Sequence, residues 1–433
     1  MIKRKVDVVT LGCSKNLVDS ERILKMFADA GCEVAHNPEH CCGDVVVINT
    51  CGFIGDAKEE SIETILQYVN AKNDGDVAEV YVMGCLSERY RNELPVEIPE
   101  VDGWYGKFDW VKLVSDISKK QAEVKSYNRT ITTPSHYAYL KIAEGCNRFC
   151  AFCAIPLITG RFTSRPIDEI IDEVKTLVAQ GVKEFNVIAQ DLSSYGLDLY
   201  GKMVLPELVD RMAQVEGVKW IRLHYAYPAQ FPIELLDVMA RHENVCKYLD
   251  IALQHVSDTV LKNMRRHIDG KQTRELLATI RERVPGIHIR TTLMVGFPGE
   301  GEAEFEELKL FVKEQRFERM GAFAYCEEDD TFAAKKFPDA IPQELKDKRL
   351  GEIMALQEEI ALETNQEKIG KTLNVVIDRE EEDYFVGRTE WDSPEVDPEV
   401  LVKKSRRLDI GEFYQVTITD ALPFELIGEV ADV

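Results

Sequence analysis

The chain has 433 residues, of which 45% are hydrophobic and 30% are charged, a composition typical of a globular protein with two or three domains. No apolar run reaches the roughly 20 residues of a transmembrane helix, and the start of the chain has no signal-peptide cleavage site, so we expect a cytoplasmic protein without a membrane partner. The formal net charge of −23 repels phosphate backbones and disfavours nucleic acid as the main substrate. Eleven cysteines in such a chain indicate metal or redox chemistry rather than a disulfide framework.

The first 130 residues alternate Val-rich runs with helical periodicity, which predicts a parallel α/β domain covered by helices on both faces. Three predicted strands each end at a cysteine: VDVVTLGC (6–13) at Cys13, DVVVINTC (44–51) at Cys51 and EVYVMGC (79–85) at Cys85. Because the carboxyl ends of parallel strands share one edge of a sheet, these cysteines are expected to converge there. The alternative is that each is only a small buried apolar residue.

A domain boundary is predicted at TITTPSHYAYL (130–140), where Pro134 interrupts the periodicity. Six apolar strands follow: YAYLKIA (137–143), EFNVIAQ (184–190), KWIRLHYA (219–226), YLDIALQ (248–254), HIRTTLMVGF (288–297) and GAFAYC (321–326). Amphipathic helices follow most of them, so residues 131–365 are predicted to form a partial (βα)6 barrel like part of a TIM barrel. Its site should lie at the carboxyl ends of the strands.

The last segment, 366–433, has short alternating strands, which predict a small antiparallel β-barrel. It contains eight Lys and Arg against seventeen Asp and Glu, a net charge of −9. Such a surface favours a basic protein partner over nucleic acid. We expect the acidic run to contribute to partner binding: Glu380, Glu381, Glu382 and Asp383.

The loop EGCNRFCAFCAIP (144–156) places Cys146, Cys150 and Cys153 in a C-x3-C-x2-C spacing. A structural zinc ion needs a fourth ligand, and the nearest histidine, His136, lies ten residues earlier, across a predicted strand. Three thiolates instead suit a four-iron cluster that leaves one iron open to a small molecule.

This spacing, with Phe152 before the last cysteine and after the first barrel strand, resembles the signature of the radical S-adenosylmethionine (SAM) enzymes. The resemblance implies a [4Fe-4S] cluster on the three loop cysteines whose open iron binds SAM. Reductive cleavage of SAM then gives a 5′-deoxyadenosyl radical that abstracts hydrogen from a substrate carbon. A low-potential electron donor such as flavodoxin or ferredoxin is implied as well.

The three-domain order is similar to that of the methylthiotransferases, whose C-terminal domain is called TRAM. In that family the N-terminal cysteines, matched here by LGCSKN, NTCGFI and MGCLSERY, bind a second [4Fe-4S] cluster that carries the sulfur to be transferred. The resemblance implies two uses of SAM, as methyl donor to that sulfur and as radical source. The implied domains are 1–130, 131–365 and 366–433.

Within this family the first cysteine lies in GCSKNLVDSE (12–21), as in RimO-type enzymes, whereas tRNA-modifying MiaB-type enzymes usually have GCQMN. RimO-type enzymes methylthiolate the β-carbon of an aspartate in small-subunit ribosomal protein S-twelve, free or within the 30S particle. Two alternatives stay open: a MiaB-type tRNA adenosine methylthiotransferase, and a non-catalytic iron–sulfur factor that binds the ribosome.

Two segments resemble superfamily segments that contact SAM, and they contain Gln190, Asp191, Gly296 and Gly299. Phe152 in the cysteine loop, Gln254 at the end of the fourth strand and Arg290 at the start of the fifth are further candidates for contacts with SAM. Asp191 could instead cap a helix, and a Pro-Gly turn would explain the two glycines equally well. In LITGRFTSRP (157–166) Thr159 stands where the family commonly has arginine, and the role of Arg161 is left open.

Overall fold

The computed structural model describes residues 4–40, 43–122 and 128–431. The chain divides into two compact units. The N-terminal unit comprises Met1–Thr133, Tyr139–Asn147 and Cys153–Thr176, and the C-terminal unit comprises Pro134–Ala138, Arg148–Phe152 and Leu177–Val433. In the predicted domain 1–130, three segments lie outside the described residues: 1–3, 41–42 and 123–127. In the last predicted domain, residues 432–433 lie outside them as well.

The N-terminal unit is built on a parallel sheet, as predicted from its Val-rich strands. Up to residue 122 its elements are β1 (Lys5–Thr10), α1 (Ser14–Asp29), β2 (Glu33–His36), β3 (Val45–Thr50), α2 (Gly55–Asp74), β4 (Glu79–Gly84), α3 (Cys85–Arg89), α4 (Leu94–Glu97), β5 (Gly103–Trp104) and α5 (Trp110–Ser118). The strand order is β2-β1-β3-β4-β5, with every pair parallel. All residues of β3 are buried, since apolar layers pack on both faces of the sheet.

The central part of the chain alternates strands and helices. Its elements are β6 (Tyr137–Lys141), β7 (Ala143–Glu144), α6 (Ile155–Thr159), β8 (Thr163–Ser164), α7 (Ile167–Ala179), β9 (Glu184–Ile188), a 3-10 turn (Leu192–Ser194), α8 (Leu197–Tyr200), α9 (Leu205–Ala213), β10 (Trp220–Ala226), α10 (Glu234–Arg241), β11 (Val245–Ile251), α11 (Asp258–Asn263), α12 (Gly270–Arg283), β12 (His288–Val295), α13 (Glu302–Gln315), β13 (Arg319–Ala324), α14 (Phe332–Lys336) and α15 (Gln343–Gln366).

The six predicted barrel strands form one sheet in the order β13-β12-β11-β10-β9-β6. The pairs from β9 to β13 are parallel, so their carboxyl ends share one edge. This confirms the predicted partial (βα)6 barrel. Among the described residues no helix combines the length and the apolar character needed to cross a membrane.

The C-terminal segment closes into a five-stranded barrel in the order β14-β15-β16-β18-β17. Its strands are β14 (Thr372–Glu380), β15 (Tyr384–Thr389), β16 (Glu399–Lys403), β17 (Phe413–Ala421) and β18 (Glu425–Val430). Four of the five pairings are antiparallel, as predicted, and the pair β16–β18 is parallel. Apolar residues of every strand fill the interior, which gives this small domain its own core.

A buried ion-pair network ties the small barrel to the amino-terminal ends of the large sheet's strands. The Arg388 guanidinium donates to Glu184 at 2.8 and 3.0 Å and to Asp378 at 2.7 and 2.9 Å. Asp378 also bonds His136 at 2.7 Å. Burial would raise the pKa of Asp378, but Arg388 and His136 hold it at about 2.

The β15–β16 loop reaches the same edge of the large sheet. Asp392 accepts from Arg319 at the start of β13, while Asp397 accepts from Arg290 at 3.3 Å and from the Tyr248 hydroxyl at 2.7 Å. The small barrel is therefore anchored at the edge opposite the strand carboxyl ends, where a barrel of this kind has its site.

The Asp378 carboxylate should stabilise this anchor in a pH-dependent way. Asp378→Asn leaves Arg388 with a weaker partner, and we expect a loss of about 3 kcal/mol at pH 7. Because the folded pKa is depressed below the ordinary value of 3.8, the wild-type advantage should shrink as the pH falls from about 4 towards 2. Urea unfolding of both proteins at pH 7 and pH 3 measures this.

Asp383→Asn is the control, since Asp383 is exposed and no ion pair of it occurs among the described residues. A gap between Asp378→Asn and wild type that stays constant between pH 7 and pH 3 would contradict the ion-pair account.

Candidate functional site

Three cysteines of the N-terminal unit lie at the carboxyl ends of neighbouring strands, and we call Cys13, Cys51 and Cys85 the N-terminal triad. They follow β1, β3 and β4, which are adjacent in the sheet. A Cβ atom on Gly12 would lie 2.6 Å from the Cβ of Cys51 and 2.8 Å from its sulfur. A Cβ atom on Gly52 would lie 2.7 Å from the backbone N of Leu86. The three cysteine loops are therefore in direct contact, and glycine is what permits it.

The side chain of Asn16, on the first turn of α1, bonds to all three loops. Its Nδ2 donates to the carbonyl of Leu11 at 3.1 Å and to that of Thr50 at 3.0 Å. Its Oδ1 accepts from the Cys85 thiol at 3.6 Å and from the Lys107 ammonium at 3.5 Å. Asn16 is 1% exposed, so these contacts are shielded from water.

The three thiols differ in acidity because of their surroundings. Burial raises the pKa of Cys85 to about 12, although Lys107 opposes this. Burial also raises the pKa of Cys51. At Cys13 desolvation of the thiolate would raise the pKa, but Lys15, Lys107 and nearby backbone N–H groups lower it. Cys13, which is exposed, is thus the thiol of the triad that ionises first.

The N-terminal triad fits an anionic iron–sulfur cluster by its donors and its charge. Among the described residues no three His, Cys, Asp or Glu side chains lie close enough to enclose a single metal ion. In a four-iron cluster, however, each thiolate binds a different iron, so the sulfurs lie farther apart than the ligands of one ion. The buried ammonium of Lys107 lies beside this site, where it bonds to Asn16 and pairs with Asp19.

The N-terminal triad lies beside the helix that follows the cysteine loop. Cys85 packs with Ala154 and Ile158, which belong to the turn directly after Cys153 and to α6. All four residues belong to the N-terminal unit. The packing places Cys85 next to the chain segment that leaves Cys153.

The cysteine loop contributes to both units, and we call Cys146, Cys150 and Cys153 the loop triad. Cys146 and Cys153 belong to the N-terminal unit. There the Cys146 N–H donates to the Gly160 carbonyl at 3.2 Å. Gly145 has φ +75°, and a Cβ atom on it would lie 2.2 Å from the carbonyl oxygen of Arg161. Residue 161 thus supports the loop through its backbone.

Cys150 belongs to the C-terminal unit, where cationic and aromatic groups surround its sulfur. The Arg266 guanidinium donates to the sulfur at 3.3 Å, and the Tyr227 hydroxyl lies 3.8 Å away. Arg266 is 3% exposed, and its Nε has no hydrogen-bond acceptor among the described residues. Arg148 and Arg266 lie 4.2 and 4.1 Å from the centre of the Tyr227 ring. These donors and charges fit a thiolate at Cys150.

Sequence reasoning missed Asn16 and Lys107 near the N-terminal triad, and Arg266 and Tyr227 near Cys150. Asn16 lies in the quoted motif GCSKN, so its position was a usable signal. The other three are far in sequence from any cysteine, and nothing in their neighbourhoods indicates a site.

Six of the seven residues predicted to contact SAM lie near strand carboxyl ends in the C-terminal unit. Phe152 packs edge-on against Phe297 with ring centres 6.2 Å apart. Asp191 caps the 3-10 turn by accepting from Ser193 N–H at 2.9 Å, and it also accepts from Arg148 at 2.7 Å. Gln254 is 8% exposed with φ +71°, and its Oε1 has no donor among the described residues.

Of the remaining predicted SAM contacts, Arg290 alone lies away from the strand carboxyl ends. Gly296 and Gly299 have φ values of +74° and +100° and form a tight turn after β12. Arg290 lies near the start of β12, where it pairs with Asp250 at 3.4 Å and with Asp397. Gln190 follows the end of β9.

The acidic run Glu380–Asp383 is exposed, but half of it is paired within its own domain. Glu380 bonds Lys404 at 2.8 Å, and Glu381 bonds Arg379 at 2.7 Å. No ion pair of Glu382 or Asp383 occurs in the part of the chain that the structure describes. These two carboxylates carry the free charge of the run.

A cavity of about 280 Å³ lies in the C-terminal unit, and His288, Lys368 and Trp391 are among its lining residues. His288 stacks on Trp391 with ring centres 4.4 Å apart. Burial, reinforced by Arg319, lowers the pKa of Lys368 to about 7. No predicted site residue lines this cavity.

Three family models match the chain: Uncharacterized protein family UPF0004 over residues 5–106, the Radical SAM superfamily over 140–312 and the TRAM domain over 369–431. Solved radical SAM enzymes share the fold at low identity. The methyltransferase TsrM from Kitasatospora setae, with cobalamin and a [4Fe-4S] cluster bound, matches with TM-score 0.58 and 16% identity, covering 77% of each chain. OxsB, a cobalamin-dependent SAM radical enzyme, matches with TM-score 0.51 and 12% identity over 82% of this chain and 56% of its own.

Curated relatives match over nearly the whole chain. The protein from Phocaeicola vulgatus is 59% identical and covers 99% of this chain and 100% of its own. The Porphyromonas gingivalis protein is 56% identical over 100% of both chains, and the Cytophaga hutchinsonii protein is 50% identical over 99% and 98%. All three are named ribosomal protein uS12 methylthiotransferase RimO. The chain is a member of the RimO family of radical SAM methylthiotransferases.

Proposed function

We propose that this chain attaches a methylthio group to the β-carbon of an aspartate in small-subunit ribosomal protein uS12. The observation that carries the proposal is identity of 56 to 59% over almost the full chain with relatives whose names state action on uS12. The proposed order of domains agrees with this activity: 1–130, then 131–365 with the radical SAM site, then 366–433. A MiaB-type tRNA enzyme and a non-catalytic ribosome-binding factor are disfavoured by the same relatives.

We propose that each cysteine triad holds one [4Fe-4S] cluster. When bound, the cluster on the loop triad supplies the electron that cleaves SAM, and the cluster on the N-terminal triad supplies the sulfur. Arg266 would hold the Cys150 thiolate through the 3.3 Å contact and balance its charge. Phe152 and the unpaired Oε1 of Gln254 would face SAM, together with Gln190, Asp191, Gly296 and Gly299 in the smaller roles predicted from the sequence. Arg290 is left out of this set, because it lies at the other end of its strand and pairs there with Asp250 and Asp397.

The partners follow from the proposed chemistry. Free uS12 or uS12 within the 30S particle would be the substrate, and a low-potential protein such as flavodoxin or ferredoxin would deliver electrons. Ribosomal proteins are made and assembled in the cytoplasm, so we propose that the chain works there. The acidic face of the last domain, including Glu382 and Asp383, would attract the basic substrate.

Replacing the cysteines of one triad at a time should separate the cleavage of SAM from the supply of sulfur. Wild type should bind about eight irons per chain after anaerobic reconstitution, as two four-iron clusters require. Replacing Cys13, Cys51 and Cys85 with alanine should halve the iron and abolish methylthiolated uS12, yet leave 5′-deoxyadenosine formation intact. Replacing Cys146, Cys150 and Cys153 should halve the iron and abolish both products.

Iron analysis, with chromatography of 5′-deoxyadenosine and mass spectrometry of uS12, measures these outcomes. About four irons in wild type would rule out the second cluster. Loss of 5′-deoxyadenosine in a folded variant without the N-terminal triad would contradict the division of tasks.

Gly12→Ala should disturb the N-terminal triad while all three of its cysteines remain in place. The new methyl group would collide with Cys51, and the backbone has φ +84°, so we expect the variant to lose the iron of this triad. Gly75→Ala is the matched control, since Gly75 has φ +87° at the end of α2 but nothing within 4 Å of the added methyl group. Equal iron content in the two variants would contradict the convergence of the three loops on one cluster.

Charge reversal should reveal whether the acidic run steers the substrate. Glu382→Lys with Asp383→Lys should slow association with uS12 and flatten its salt dependence around ~0.15 M ionic strength. The control pair Asp409→Lys with Asp420→Lys makes the same charge change at other exposed positions of the domain. Stopped-flow association rates at two salt concentrations measure the effect. Equal slowing by both pairs would show that the net charge of the domain attracts uS12, and not the acidic run in particular.

A further inference from the structure

We propose that Lys107, held in place by Asn16 and Asp19, supplies a buried positive charge and a free N–H donor to the anionic sulfur species bound at the N-terminal triad. Asn16 is the positioning residue that joins this lysine to the three cysteine loops. The inference rests on the proposed function, because it requires a cluster on the N-terminal triad.

The burial of Lys107 needs an explanation beyond packing. Its side chain is 2% exposed, and it pairs with Asp19, 1% exposed, at 2.8 Å. Asp19 is shared with Lys141 and also lies near Arg22, while Glu144 is a second partner of Lys141. Lys107 and Lys141 thus share the single carboxylate of Asp19, while Arg22 also lies near Glu173. No second carboxylate bonds Lys107 among the described residues, and in this region of low polarity an anion bound beside it would complete its charge pairing.

The Lys107 ammonium also has one N–H group without an oxygen acceptor among the described residues. Of its three N–H bonds, one is directed to Asp19 and one to Asn16 at 3.5 Å. No other oxygen acceptor for it occurs among the described residues, and the Phe108 ring centre lies 5.8 Å away. Burial would lower the pKa of Lys107, but Asp19, Cys85 and Glu144 raise it well above its usual value, so the group stays charged.

Asn16 fixes where this charge lies relative to the cysteines. Both of its N–H bonds are used by the carbonyls of Leu11 and Thr50, which precede the first two cysteine loops. Its Oδ1 must therefore face Lys107 and Cys85. The Asn49 side chain donates to the Asn16 carbonyl at 2.9 Å and holds the turn. One amide thus connects the three loops to one cation.

This arrangement suits a sulfur-rich anion. A four-iron cluster with three thiolate ligands carries net negative charge, and hydrogen bonds to its sulfurs together with nearby cations stabilise the more reduced form. Outer residues of this kind typically change metal affinity by 10 to 100-fold when they are removed. Lys107 would therefore raise the reduction potential of the cluster and slow its loss.

The test uses the full chain with Cys146, Cys150 and Cys153 changed to alanine, so that only the N-terminal triad binds iron. In this background we compare Lys107→Met, Lys107→Gln and the charge-retaining Lys107→Arg. Loss of iron to a chelator and the midpoint potential from electron paramagnetic resonance titration are measured. We expect Lys107→Met to release iron about tenfold faster with a lower potential. Lys107→Gln, a polar replacement without the charge, should shift both in the same direction, and Lys107→Arg should restore the potential towards wild type.

Lys72→Met is the control, since Lys72 also pairs with an aspartate, Asp102, but lies at the end of α2. If folded Lys107→Met and Lys107→Gln match Lys72→Met in release rate and potential, the inference is overturned and the second cluster stands. If the background with Lys107 intact binds no iron, the second cluster fails and the inference fails with it.

Discussion

Parallel pairing of β1, β3 and β4 is the constraint on which the N-terminal triad depends. Parallel strands place their carboxyl ends on one edge, so residues up to 72 positions apart in the sequence, Cys13 and Cys85, become neighbours there. Glycines before or after the cysteines let the loops touch, and the side chain of Asn16 joins them. The chemistry proposed for this edge would be lost if one strand changed register.

Both triads share a second feature, which is a buried cation near a cysteine sulfur. Lys107 approaches Cys85 through Asn16, and Arg266 donates directly to Cys150. Burying an unpaired lysine or arginine is costly unless an anion accompanies it. Thiolates and cluster sulfides are such anions, so the same electrostatic principle serves the two proposed clusters.

The fold was largely predictable because each strand and helix carries its own periodic pattern. Among the strands before residue 366, β2, β5 and β8 escaped prediction, because they are short and depend on pairing with neighbours rather than on their own sequence. The cysteines were predictable as site candidates because spacing and strand context mark them. Lys107 and Arg266 were not, since their role arises from tertiary contacts with residues distant in the chain. Arg290 shows the converse, because a suggestive position proved to lie among acidic partners at the other end of its strand.

The central claim is that this chain modifies uS12, and mass spectrometry of a strain that lacks its gene tests it most directly. Small-subunit ribosomal proteins and bulk tRNA would be analysed from the deletion strain, the parent and a strain complemented with the wild-type gene. The account predicts that an aspartate of uS12 loses its methylthio group in the deletion strain and regains it on complementation, with tRNA unchanged. Loss of a methylthio group from tRNA, with uS12 still modified, would contradict it.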